Sequence, residues 1–182
     1  RLQAVEAVFG KLPRQVRQLA KQVDKEVELV ITGNDVELDK SIIESLSDPL
    51  THLIRNSLDH GLEDPEGRKK AGKKPAGKIE VRAFHEGGQV NIEIEDDGRG
   101  INPEVIKTKA IEKGVITESE AERLDDRQAA ELIFAPGFST AEQVSDISGR
   151  GVGMDVVRNN IEDLGGSIDL DSRWGLGTRI RL

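Results

Sequence analysis

The stretch from Lys78 to Ile94 constrains this chain most. Ile79, Val81 and Ala83 alternate with polar residues, Gly87-Gly88 follows, and Val90, Ile92 and Ile94 alternate again. A period of two on both sides of a glycine pair predicts a β-hairpin with one buried face. Helical spacing supplies a cover for that face. Residues 11–24 place Val16, Leu19, Ala20 and Val23 on one side, about 39–46 place Ile42, Ile43 and Leu46, and about 49–60 place Leu50, Leu53, Ile54 and Leu58. Ser47-Asp48-Pro49 reads as a restart between the last two, a capping side chain followed by proline in a first turn.

The remaining pattern completes a mixed architecture. Glu26 to Thr32 alternates and is closed by Gly33-Asn34-Asp35, so it reads as a strand and turn. Helices are expected at about 103–114, 127–134 and 153–164, and strands at Ser167–Asp171 and Thr178–Leu182. Residues 61–77, rich in glycine and proline, read as a surface connection, and residues 135–153 as a mobile loop. Strands grouped around clustered helices predict an α+β fold, a two-layer sandwich with one mixed sheet under a helical layer.

Bulk properties narrow the function. A length of 182 residues suits one domain with a short flanking segment. The net charge of −8 argues against broad nucleic-acid or membrane-surface binding. The basic run Arg68-Lys69-Lys70-Ala71-Gly72-Lys73-Lys74 reads as a solvated loop. Without cysteine there is no disulfide and no thiolate metal site. No signal peptide and no run of 18 apolar residues is present, so no direct membrane insertion is expected. The chain begins at an arginine in mid-pattern and stops on an apolar strand, as an excised fragment would.

Three segments carry candidate chemistry. His52, Asn56 and His60 lie four residues apart, which places two imidazoles and a carboxamide on one helix face. Asp96-Asp97-Gly98-Arg99-Gly100 directly follows a strand. A carboxylate there can accept a hydrogen bond from an adenine amino group, and the glycines let the backbone pass close by. Gly149-Arg150-Gly151-Val152-Gly153 precedes the helix that starts near Met154. Free N–H groups at such a helix start suit phosphate oxygens. This loop is neither a Walker A motif nor a Rossmann fingerprint. Taken singly, each segment reads more readily as an ordinary structural feature than as a binding site.

Their order is what resembles a family. A polar helix stripe, Asp-x-Gly-x-Gly, a mobile loop and a glycine-rich helix start follow the N-box, first glycine box, lid and second glycine box of the gyrase, chaperone, histidine-kinase and MutL ATPase superfamily. Phe134-Ala135-Pro136-Gly137-Phe138-Ser139-Thr140 looks like an F-box. Leu50-Thr51-His52 through Asp59-His60-Gly61 and Ser148-Gly149-Arg150 through Asp155-Val156-Val157 resemble the catalytic domains of CheA-type chemotaxis histidine kinases. The resemblance spans essentially the whole chain. Residues 1–25 resemble the join to a preceding dimerisation domain, the end of that segment and the first helix of this one, with the ATP-binding catalytic domain at 26–182.

The resemblance implies a Bergerat ATP-binding fold with an ATP lid, ATP and Mg2+ as cofactors, and a cytoplasmic kinase. It implies Asn56 as the Mg2+ ligand, Asp96 on the adenine amino group, Gly98 and Gly100 lining the base pocket, and Thr178 behind it. His60 and Lys109 match positions that face the phosphates; Gly149, Arg150, Gly151, Val152, Gly153 and Met154 would wrap the triphosphate, with Ser139 close by. His52 stands where the related ATPases carry a water-activating glutamate, a change expected to favour transfer to a protein nucleophile over hydrolysis. Val105 departs from a commonly basic position. His85 ends a strand and reads as structural, so the accepting histidine is expected on a separate phosphotransfer domain. Other partners implied are dimerisation and receptor- or adaptor-coupling domains. The alternatives are an ATP-driven conformational module and an inactive nucleotide-binding domain.

Overall fold

The computed structural model describes residues 1–139 and 153–182. Strand β1 (Leu2–Ala4), the single-turn helix α1 (Glu6–Phe9) and helix α2 (Leu12–Gln22) come first. Strands β2 (Val27–Thr32) and β3 (Glu37–Asp39) lead to the long helix α3 (Lys40–Asn56), which continues as a π-helical turn, Ser57–Gly61. Helix α4 (Pro65–Lys70) and strands β4 (Gly77–Glu86) and β5 (Gln89–Asp96) follow. Helices α5 (Pro103–Glu112), α6 (Glu118–Glu122) and α7 (Asp126–Glu131) come next, the last running into a 3-10 turn, Leu132–Phe134. Helix α8 (Met154–Asp163) and the hairpin of β6 (Asp169–Arg173) and β7 (Gly177–Arg181) complete the described chain.

Five strands form one sheet in the order β2-β4-β5-β7-β6, and β1 pairs separately with β3. Only β2–β4 is parallel within the larger sheet, so the sheet is mixed, as the pattern predicts. The β4–β5 hairpin has the expected turn. Glu86 pairs with Gln89, and Gly87 and Gly88 take φ of 62° and 75°, the left-handed values that a two-residue turn of this hand requires.

The alternation then decides which face is buried. Ile79, Val81, Ala83, Ile92 and Ile94 turn inward to meet Ile43, Leu46, Leu50, Leu53, Ile54 and Leu58 of α3 and its π-turn. At about 25 cal/mol per Å2 of apolar surface, burying each large side chain here stabilises by roughly 1.5–3 kcal/mol. The outer face carries charge instead. Arg82 reaches Glu93, Glu80 and Glu95 at 2.8, 2.9 and 3.2 Å, and Arg181 reaches Glu93 at 2.6 Å. Burial alone would raise the Glu93 carboxyl, but the hydrogen bonds from Arg82 and Arg181 outweigh it and hold it below its ordinary value.

Three expectations are corrected. Helix α3 does not restart at Pro49, which lies inside one continuous helix capped by Asp39, whose carboxylate accepts the Ser41 N–H at 2.9 Å. Proline removes one helical hydrogen bond. Leu46, Pro49, Leu50 and Leu53 nevertheless share a buried face, and packing carries the helix through. The connection at 61–77 contains helix α4, which starts where Asp64 accepts the Gly67 N–H at 2.7 Å. The basic run is not uniformly solvated either, since Arg68 is buried at 1% exposure. At the other end, Val5, Phe9, Leu12 and Val16 belong to the same core as α3, so the packing is continuous across residue 25.

Candidate functional site

A cavity of about 740 Å3 opens between α3, the C-terminal end of β5, α5 and the start of α8. His52, Asn56 and His60 all line it, as their spacing on one helix face predicts. Asp96, Gly100, Lys109, Ser139, Gly153, Met154 and Thr178 line it as well. Gly149, Arg150, Gly151 and Val152, and with them most of the expected lid, lie outside the described residues.

Asp96 ends β5 and forms the deep polar point of the cavity. It is 6% exposed, and desolvation pushes its carboxyl up to about 6. Its Oδ1 accepts the Gly98 N–H at 3.0 Å, and hydrogen bonds from Gly98 and the Ser57 hydroxyl partly offset the desolvation, while Asp97 adds to it. Thr178 is its cross-strand partner on β7. The Thr178 hydroxyl lies 2.8 Å from the Ser172 hydroxyl, which also accepts the Ile101 N–H at 2.8 Å.

The glycines around Asp96 answer to backbone contacts. A Cβ on Gly98 would lie 2.1 Å from the Gly61 carbonyl oxygen, and Gly98 packs behind the cavity wall rather than on it. Gly100, with φ of 74°, would place a Cβ 2.1 Å from the Arg173 carbonyl oxygen. Both positions exclude any other residue on backbone contacts alone.

The facing wall of the cavity is built from α3 and its π-turn, whose Ser57 reaches Asp96. Such turns insert one extra residue, and here the Leu62 N–H reaches back to the Ser57 carbonyl at 2.7 Å. Lys25 Nζ donates to the carbonyls of Leu58 and Asp59 at 2.5 and 3.1 Å, fastening the turn from the end of α2. Burial and then the Arg55 guanidinium push the His52 imidazole below its ordinary value. His60, more exposed, is pushed down by its surroundings and by Lys109, Lys25 and Arg99, against the pull of Asp59. Asn56 Nδ2 donates to Met154 Sδ at 3.0 Å, while its carboxamide oxygen accepts no hydrogen bond from the described residues. An amide oxygen is a hard donor that suits Mg2+. Among the described residues no group of three or more His, Asp or Glu side chains gathers around a cation site, so a cation at Asn56 would draw its other ligands from phosphate and water.

Two aromatics, Phe134 and Phe138, fix the rim. Phe134 is buried beneath the Arg158 guanidinium, 5.6 Å from its ring centre, and Phe138 is buried with the Lys113 ammonium 5.1 Å from its own. Lys113 also donates to the Phe138 carbonyl. Ser139 is thereby set against Gly153, where a Cβ would lie 3.2 Å from that of Ser139. Gly153 and Met154 begin α8 at the cavity wall without a side-chain cap. Val105 is 48% exposed and does not line the cavity, and His85 is exposed at the end of β4.

Sequence reasoning missed Ser57. Its signal was a lone hydroxyl between Ile54 and Leu58 on the buried stripe of α3, where a polar group needs a partner.

A strand-end carboxylate, a helix carboxamide and a glycine-flanked helix start around one cavity define a nucleotide-binding sandwich. Residues 45–182 match the histidine kinase-, DNA gyrase B- and HSP90-like ATPases, and the chain belongs to that family. Within it, the chain is 56% identical over 178 residues to the chemotaxis protein CheA of Bacillus subtilis, covering 98% of this chain and 26% of that protein. It is 54% identical to the sensor histidine kinase CheAY of Helicobacter pylori, covering all of this chain and 23% of that one. The chain thus spans about a quarter of the length of these relatives. The histidine kinase domain of the blue-light activated kinase from Erythrobacter litoralis EL346 superposes with a TM-score of 0.54 at 16% identity, over 98% of this chain and 63% of that one. That likeness concerns the fold alone.

Proposed function

We propose that this chain is the ATP-binding catalytic domain of a CheA-type histidine protein kinase. It moves the γ-phosphoryl group of ATP to a histidine on a separate phosphotransfer domain in two-component chemotaxis signalling. The observation that carries this reading is His52, an imidazole on the cavity wall where the related ATPases have a glutamate, one helical turn before Asn56.

Asp96 accepts the adenine amino group, with Ser57 and Thr178 holding it in place. Asn56 would hold Mg2+, which would neutralise phosphate charge when bound. Lys109, His60, Ser139, Gly153 and Met154 meet the phosphates, joined by Gly149, Arg150, Gly151 and Val152 on the sequence resemblance alone. His52 orients the incoming imidazole or accepts its proton, and catalysis otherwise rests on positioning. Residues 26–182 carry the catalytic site, and residues 1–25, which supply the first helix of the same core, lead into it from a dimerisation domain. Among the described residues no helix is long and apolar enough to cross a membrane, and we place the kinase in the cytoplasm with receptor- and adaptor-coupling domains as partners.

Mixing the domain with a phosphotransfer domain and γ-labelled ATP tests the assignment. Label should pass to the acceptor histidine, while the domain alone should hydrolyse ATP slowly. Brisk hydrolysis without acceptor, and no labelled acceptor, would favour an ATP-driven conformational module.

A further inference from the structure

Helix α4 and the loop after it hold two cations against the back of the Asp96–Gly98 segment. Arg68 is 1% exposed, and its guanidinium donates to the Lys74 carbonyl at 2.6 Å, the Asp97 carbonyl at 3.1 Å and the Asp97 carboxylate at 3.0 Å. Lys73 Nζ donates to the carbonyls of Asp97 and Gly98 at 3.1 and 2.7 Å. Glu63 accepts from both cations, at 3.3 and 2.7 Å. The other Asp97 carboxylate oxygen accepts the Lys78 N–H at 2.8 Å.

Peptide planarity turns this clasp into an orienting device. With the Asp97 carbonyl drawn towards Arg68 and Lys73, the Gly98 N–H of the same peptide points the other way, to Asp96 Oδ1 at 3.0 Å. With the Gly98 carbonyl drawn to Lys73, the Arg99 N–H points to the Gly61 carbonyl at 2.8 Å. Each outward carbonyl fixes one inward N–H. The two inward bonds aim the Asp96 carboxylate and seat the segment against the π-turn.

We propose that Lys73 and Arg68 are positioning residues for adenine recognition, acting through the Asp97 and Gly98 peptides without touching nucleotide. The proposal rests on the adenine role assigned to Asp96 above. Arg68 is deeply buried and ties the Lys74 carbonyl, Glu63 and Asp97 together, so removing it carries a general folding penalty. Lys73, only half-buried, separates positioning from folding.

The test compares Lys73→Met and Lys73→Arg in this domain, with folding checked by circular dichroism. Binding of ADP and GDP is measured by calorimetry, and kcat and KM by transfer to an acceptor domain. In Lys73→Met, ADP affinity should fall about tenfold, the scale of one lost charge-assisted hydrogen bond. The preference for ADP over GDP should shrink, KM for ATP should rise, and kcat at saturating ATP should stay within about twofold, as no transition-state contact is removed. Gly98 and Arg99 amides should exchange faster with solvent, and Lys73→Arg should restore most of the affinity. Folded Lys73→Met with unchanged ADP affinity, or with equal losses for ADP and GDP, overturns the proposal. So do unchanged Gly98 and Arg99 exchange rates, a readout that needs no nucleotide. If Lys73→Met unfolds, Lys73→Gln is compared with Lys73→Arg by the same exchange measurement. A wild-type domain that binds no adenine nucleotide refutes the functional reading instead, and the amide exchange still judges the clasp.

Discussion

Replacing Asp96 by asparagine should strengthen the fold and weaken nucleotide binding at the same time. The Asp96 carboxyl sits at about 6 in the folded domain against an ordinary 3.8, chiefly through desolvation. A difference of that size corresponds to about 3 kcal/mol. Between those two values the unfolded chain has released the proton and the folded chain retains it. Stability therefore falls as pH rises from about 4 to 6, and the whole loss is present at pH 7. Asparagine keeps the geometry, since its oxygen can accept the Gly98 N–H and its amide can donate to Ser57, but it carries no charge to desolvate. The unfolding free energy of Asp96→Asn minus that of the wild type should rise by roughly 3 kcal/mol between pH 4 and pH 7, then level off. Subtraction cancels the other titrating groups. Urea titrations followed by circular dichroism at intervals of half a pH unit measure this curve, because Trp174 is too exposed to report burial. ADP affinity should move the other way, falling by about 1–3 kcal/mol at pH 7.5 with the loss of the base contact. A flat difference curve would refute the desolvation argument, and unchanged affinity would remove Asp96 from the base pocket.

His52→Gln should slow phosphoryl transfer by about 10- to 10,000-fold with ATP binding nearly intact, whereas His52→Glu should raise the ratio of hydrolysis to transfer; parallel assays with and without an acceptor domain read both. Gly100→Ala should destabilise the domain by about 2–4 kcal/mol in denaturant titrations, because it combines a left-handed φ of 74° with a Cβ only 2.1 Å from the Arg173 carbonyl oxygen.

Local pattern and distant contact divide what could be read in advance. The β4–β5 hairpin, its glycine turn and its buried face were legible because alternation and turn chemistry are local. The His52, Asn56 and His60 stripe was legible for the same reason, and all three reach one cavity even though a π-turn intervenes before His60. Pro49 misled because its helix depends on core packing, which outweighs the local break signal. Arg68 misled more deeply. Its neighbours in sequence are lysines exposed to solvent, but its carboxylate and carbonyl partners on Asp97 lie in another element, joined only by the fold. Ser57 shares that dependence, since its value lies in facing Asp96 across the cavity floor. Val105 is half-exposed on α5 and does not line the cavity, a placement that the sequence pattern alone does not give.

The strand order has a kinetic consequence. Strand β7 lies between β5 and β6 in the sheet, yet it is the last strand in the chain, and its pairing of Thr178 with Asp96 closes a loop of roughly eighty residues. Contacts of such long range form late in folding, because the chain must surrender the entropy of the loop before the pairing rewards it. The β4–β5 hairpin and α3 can associate earlier, with β5 still an open edge. Since the Asp96 end of the cavity, where we propose that adenine binds, is made by this same cross-strand pair, it is completed only at that docking step. Adenine nucleotide should therefore leave the folding rate unchanged and slow only unfolding, lengthening the lifetime of the folded domain without guiding the chain towards it.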